Sequence, residues 1–124
     1  MQTVKDLMTS ELLSMRTKDL VGDVRDLVLD SGIHCVPVLD DEAHPVGIVT
    51  SWDLVEEYAP EDSITNVMTD KVVSIGPDEP VAQAAAVMMT NWVHHLVVTD
   101  DSGHAVGILS SFDLLGLVAE ERVS

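Results

Sequence analysis

Leu20, Val21, Val24, Leu27 and Val28 fall at helical spacing, with Asp23, Asp26 and Asp30 on the opposite face. This predicts an amphipathic helix that starts from a cap in Thr17-Lys18-Asp19 and ends at Ser31-Gly32. Apolar runs without that period flank it. Leu12-Leu13-Ser14-Met15 reads as a short strand, while Cys35-Val36-Pro37-Val38-Leu39 and Val46-Gly47-Ile48-Val49-Thr50 read as two strands around a polar turn, Asp40-Asp41-Glu42-Ala43-His44. A second short helix from near Ser51 carries Leu54, Val55 and Tyr58 before Pro60 stops it.

The same order returns in the second half. Val72-Val73-Ser74-Ile75 reads as a strand. Pro80 suits a first helical position, and Val81, Ala84, Ala85, Met88 and Trp92 form the apolar face that follows. Leu96-Val97-Val98 and Val106-Gly107-Ile108-Leu109-Ser110 bracket a turn at Asp100-Asp101-Ser102-Gly103, and a helix runs from Ser111 to about Glu120. Each half is β-α-β-β-α, an α/β (α+β) chain.

The correspondence extends to single residues at an offset of sixty: Met8-Thr9 with Met68-Thr69, Ser14 with Ser74, His34 with His94, and His44 with His104. A period this long is not that of the common solenoids. It predicts two pseudosymmetric repeats, 1–60 and 61–124, packed against each other through their sheets into one module. A lone repeat of this size would bury only about 60% of the surface that its unfolded chain exposes. The last helix, with Phe112, Leu114, Leu115, Leu117, Val118 and Ala119, is too apolar for an ordinary surface helix. It either closes the core or forms part of a dimer interface.

Charge narrows the function. Six Lys and Arg stand against 22 Asp and Glu, a formal net charge of −16, which disfavours nucleic acid because phosphate-backbone affinity comes from basic side chains. The acids are dispersed, and such self-repulsion is screened at molar salt, where the Debye length is about 3 Å. The pattern resembles the acidic proteome of a salt-adapted, halophilic microbe. Aromatics make up only 3% of residues, so the core is aliphatic. The single cysteine, Cys35, allows no internal disulfide and reads as a small buried hydrophobe. The histidines share no clear face, so no metal site is expected, and no nucleophile stands beside an evident base, so neither catalytic residues nor an enzyme is expected. With no signal peptide or membrane-length apolar stretch, the expected location is cytoplasmic.

Each copy resembles a CBS motif, and the two together resemble a tandem CBS domain pair. The residues that carry the resemblance are Gly47-Ile48-Val49-Thr50-Ser51-Trp52-Asp53 and Gly107-Ile108-Leu109-Ser110-Ser111-Phe112-Asp113, preceded by Val36-Pro37-Val38-Leu39-Asp40 and Leu96-Val97-Val98-Thr99-Asp100. The resemblance implies a regulatory, ligand-sensing module that binds AMP, ADP, ATP or S-adenosylmethionine in the cleft between repeats and signals to a partner protein. It requires no cofactor. Asp53 and Asp113 would bind ribose hydroxyls through charge-assisted hydrogen bonds. Thr50, Ser110, His34 and His94 would face phosphate, and Gly47 and Gly107 would allow close backbone approach. For the adenine, Thr9, Ser14 and Ile33 would stand with Ser110 and Asp113, and Thr69, Ser74 and Val93 with Thr50 and Asp53. Where many nucleotide-binding members carry an arginine, this chain has His34 and His94. That favours a monophosphate or S-adenosylmethionine over a triphosphate.

Two alternatives stay open on the residues themselves. Thr/Ser-x-x-Asp is also a helix N-cap pattern. The apolar helices also fit a dimerisation or interaction scaffold that binds no ligand, and both readings expect a homodimer with Trp52 and Phe112 near the apolar helix surfaces.

Overall fold

Cys35–Leu39 is buried at every position, a state open to a strand only when both faces of its sheet are covered. In the computed structural model, which describes residues 2–31, 33–51, 53–55 and 58–123, this strand (β2) lies at the centre of a three-stranded sheet. β1 (Met15–Arg16) pairs with it in parallel and β3 (Pro45–Thr50) in antiparallel fashion. The second sheet repeats this arrangement with β5 (His95–Thr99) at the centre, β4 (Ser74–Ile75) parallel and β6 (Ala105–Ser110) antiparallel. Both hairpins shift register at the same place, Val38/Leu39 and Val98/Thr99.

Four helices complete the described chain: α1 (Val4–Leu7), α2 (Val21–Ser31), α3 (Val81–Asn91) and α4 (Ser111–Val123). Single 3-10 turns stand at Asp53–Val55 and Ile64–Asn66. Val21 and Val24 of α2 are buried with Val36, Val38, Val49, Ile64 and Val67 in one core. Val4, Ile75, Ala84, Met88, Leu96, Val98 and Leu109 form the other.

The two compact units do not follow the sequence repeat end to end. One is Leu13–Val72; the other joins Met1–Leu12 to Val73–Ser124. In the second unit the backbone N–H groups of Val4 and Lys5 donate to the carbonyls of Glu79 and Pro77, and Lys5 Nζ lies 3.0 Å from Asp78. In the first, Val21 N and Gly22 N donate to the carbonyls of Asp62 and Pro60, so the Glu61-Asp62-Ser63 segment is fastened to the start of α2. Both hairpin turns close alike. Asp40 Oδ1 accepts from the backbone N–H groups of Glu42 and His44, and Asp100 Oδ1 from those of Ser102 and His104. These bonds, those from His44 and His104 foremost, hold both carboxyls below the usual aspartate range.

Two expectations change. Trp92, which helical spacing places at the end of an apolar face, is 91% exposed. It lies beyond the last residue of α3 in the left-handed conformation (φ 55°, ψ 44°), where the chain has already left the helix and the side chain no longer follows the face of Ala84 and Met88. The helix expected from Ser51 is a 3-10 turn at Asp53–Val55 in the described residues. Trp52 and Gly32 lie outside the described residues. Among those described, no helix is long and apolar enough to cross a membrane.

Cys35 is buried, and its thiol is pushed up to about 12, first by burial and then by the nearby Asp53 carboxylate. A thiol-specific reagent at pH 8 is therefore expected to leave the folded chain unlabelled and to label it fully in denaturant. Rapid labelling of the native protein would contradict the packing of β2.

Candidate functional site

β3 and β6 are edge strands, and each receives one more backbone segment on its outer side. Ile48 N donates to Thr69 O (2.9 Å) and Thr69 N to Ile48 O (2.8 Å); in the other unit Thr9 N donates to Ile108 O (2.9 Å) and Ile108 N to Thr9 O (3.1 Å). The repeated Met-Thr pairs thus cap the sheet edges beside the two glycines. A Cβ on Gly47 would meet the Met68 side chain, whose Cγ would be 2.9 Å away. One on Gly107 would meet Met8 Sδ at 2.7 Å and the Thr9 carbonyl oxygen at 2.9 Å. The backbone approach at both glycines is made by the chain's own methionine segments. The repeated Met-Thr pair is the sequence signal for it, but its destination lies too far along the chain for local pattern to give.

Beyond each glycine the strand runs into a polar turn. Asp53 Oδ2 accepts from Thr50 N (2.8 Å) and from the Thr50 hydroxyl (3.1 Å). Asp113 Oδ2 accepts from Ser110 N (2.8 Å), while Asp113 N donates to Ser110 Oγ (3.2 Å). The capping role is therefore realised in both copies. It does not by itself mark a binding site, because the same bond to an acid three residues on joins Thr3 to Asp6, Arg16 to Asp19, Leu20 to Asp23 and Ala59 to Asp62. What sets Asp53 and Asp113 apart is their position. Each follows an edge strand that carries a buried glycine and is bridged by a threonine.

The remaining candidates divide between the units. Ser14, Ile33, His34 and Thr69 belong with Gly47, Thr50 and Asp53; Thr9, Ser74, Val93 and His94 belong with Gly107, Ser110 and Asp113. Thr9 and Thr69 stand in the same unit as the acids with which the resemblance groups them. Ser14, Ile33 and His34 belong to a different unit from Ser110 and Asp113, as Ser74, Val93 and His94 do from Thr50 and Asp53. The carbonyls of His34 and His94 accept from Ser51 N (3.0 Å) and Ser111 N (2.8 Å), which fixes both histidines beside the polar turns with their side chains exposed. Ile33 and Val93 pack against the two cores.

The CBS domain profile matches twice, at residues 4–60 and 64–120. Homoserine O-acetyltransferase from Methanococcoides burtonii is 31% identical over 117 residues, 94% of this chain but 24% of the enzyme. The chain spans about a quarter of the length of the curated relatives it matches. Among solved structures, the CBS domain pair of protein MJ0100, in complex with 5′-methylthioadenosine and S-adenosyl-L-methionine, superposes with a TM-score of 0.87 at 27% identity, covering 97% of this chain and 98% of that one. The cytosolic domain of the Mg2+ channel MgtE, in complex with ATP, superposes with a TM-score of 0.78 at 26% identity over 90% of this chain and 46% of its own. With the profile matched in both halves and two repeated sheet units to house it, the chain belongs to the CBS domain family, as a tandem pair.

Proposed function

We propose that this chain is a regulatory module that senses adenosine-containing ligands, AMP, ADP, ATP or S-adenosylmethionine, and passes the bound state to a partner protein without itself being an enzyme. The observation that carries the reading is the repeated turn. In both units it ends an edge strand that carries a buried glycine and is bridged by a threonine, where an aspartate carboxylate can serve a ligand hydroxyl as a charged acceptor. The adenosine compounds held by the MJ0100 pair and the ATP held by the MgtE domain support that choice. Such a module can signal only through different affinities for two states. The dispersed acidic surface fits work in a salt-rich cytoplasm.

A ligand present at 100 times its Kd stabilises the folded state by about 2.7 kcal/mol. AMP, ATP and S-adenosylmethionine, each added in molar KCl, are therefore expected to raise the melting temperature. Asp53→Ala and Asp113→Ala are each expected to remove part of that rise, with the unliganded melt recording the separate loss of the cap. If none of the three shifts melting or gives calorimetric heat, the sensing reading fails.

A second reading then leads, a homodimer or interaction scaffold, and one surface favours it. Phe112, Leu115 and Val118 recur along α4 and are 79%, 61% and 53% exposed. The whole of α3 carries no charged residue, although charged residues make up 23% of the chain.

A further inference from the structure

α2 and α3 are equivalent helices of the two repeats, and their outward faces differ in charge. α2 exposes Asp23, Asp26, Leu29 and Asp30; sixty positions on, α3 exposes Gln83, Ala86, Met89 and Thr90. Leu29 and Met89 are 81% and 78% exposed, so the two faces are equally open and differ in the acids around the apolar residue. The sequence continues the contrast, because Glu56 and Glu57 of the first repeat correspond to Gly116 and Leu117 of α4. α4 packs beside α3 and exposes Phe112, Leu115 and Ala119 at helical spacing. Ser111 N donates to His94 O at 2.8 Å, which ties the start of α4 to the segment just past α3. The exposed Trp92 and Phe112 flank that junction, whereas glycine, Gly32, holds the place of Trp92 in the first repeat.

Resting on the homodimer reading of this surface, we propose that a second copy of the chain pairs through the α3–α4 face of the second unit alone, and that the acids on α2 keep the equivalent face of the first repeat out of the contact. Two copies that each carry −16 repel wherever acid meets acid. That repulsion is least here, since α3 has no charged residue and the exposed positions of α4 as far as Ala119 have none. A basic partner would be drawn to the acids that this face lacks, so charge selects an equally acidic copy. The size is adequate. Trp92 and Phe112 offer roughly 300 Å² between them, and Met89, Leu115 and Val118 extend the patch towards the roughly 800 Å² that each partner of a stable pair buries. Molar salt screens charges more than about 3 Å apart, yet carboxylates pressed into a dry contact must still be desolvated, so Asp23, Asp26 and Asp30 oppose burial of α2 in salt as well.

The test is sedimentation of the full chain in molar KCl over a range of concentrations, without added ligand. The unsubstituted chain is expected to dimerise. Leu115→Glu is expected to raise the dissociation constant roughly thirtyfold or more, the loss typical of a central contact residue. Gln83→Asp, Ala86→Asp and Thr90→Asp together, which copy the acids of α2 onto α3, are expected to weaken pairing at least about tenfold. Leu29→Glu, at the matching exposed position of the first repeat, should leave the dissociation constant within about twofold. All of these positions are exposed, and melts confirm that each variant folds. A dimer that tolerates Leu115→Glu or the triple substitution, or that Leu29→Glu weakens tenfold or more, overturns the assignment to one face while the homodimer reading stands. A monomer at every concentration overturns both, and adenosine sensing is untouched by either result.

Discussion

Leu109→Ala is expected to destabilise the chain by about 2–5 kcal/mol, the range for truncating a fully buried leucine whose surroundings close only partly over the cavity. Leu109 has no exposed surface, faces Leu96 across the β5–β6 ladder and belongs to the core with Val4, Ala84 and Met88. Small domains hold about 5–15 kcal/mol in total, so this one change removes a large share of the stability. Urea unfolding in molar KCl measures it as a fall in midpoint at unchanged slope. The consequence reaches the site, because Leu109 immediately precedes Ser110 and its burial fixes which way the turn into α4 faces. A loss under about 1 kcal/mol would mean that β6 is not packed as described.

That strand is legible in the amino-acid sequence alone, and the reason is local. The aliphatic runs of β2, β3, β5 and β6 have no helical period and are bounded by polar turns, while α2 and α3 carry their core residues at helical spacing. α1 is not legible in this way: four residues give no period, and its only mark is Thr3 with Asp6 three residues later. Spacing alone also carries Trp92 onto the face of α3, because it continues a helix past the point where the backbone turns left-handed. At the site, the pairs Thr50/Asp53 and Ser110/Asp113 are visible as residue types, but the direction of each hydroxyl is not. The apolar pattern predicts a helix after both, and the described residues after Thr50 hold a 3-10 turn at Asp53–Val55 where α4 follows Ser110. The role of Met8-Thr9 and Met68-Thr69 is hidden for another reason. Thr9 bridges Ile108 and Thr69 bridges Ile48, and no local pattern encodes partners so distant along the chain.

The methionine contacts make the two motif glycines unequal, and Gly107→Ala is expected to be the costlier substitution, at about 1–3 kcal/mol for forced overpacking. Its Cβ would stand 2.7 Å from Met8 Sδ and 2.9 Å from the Thr9 carbonyl oxygen. The sulfur can swing away, but the oxygen is backbone, held by the 3.1 Å bond from Ile108 N. At Gly47 the three nearest atoms all belong to the Met68 side chain, which has rotamers to retreat into, so Gly47→Ala should cost about 1 kcal/mol or less. Double-mutant cycles separate the two cases. Met68→Ala should relieve most of the Gly47→Ala penalty, whereas Met8→Ala should leave much of the Gly107→Ala penalty in place because the Thr9 oxygen remains. Gly116 supplies the control: it lies inside α4 with nothing within 4 Å of where an added methyl group would stand, so Gly116→Ala should stabilise by about 0.5–1 kcal/mol through helix propensity. Equal penalties at Gly47 and Gly107, both fully relieved by removing the methionine, would show that the Thr9 bridge yields. The edge of β6 would then be a movable element and not a fixed wall beside Ser110 and Asp113.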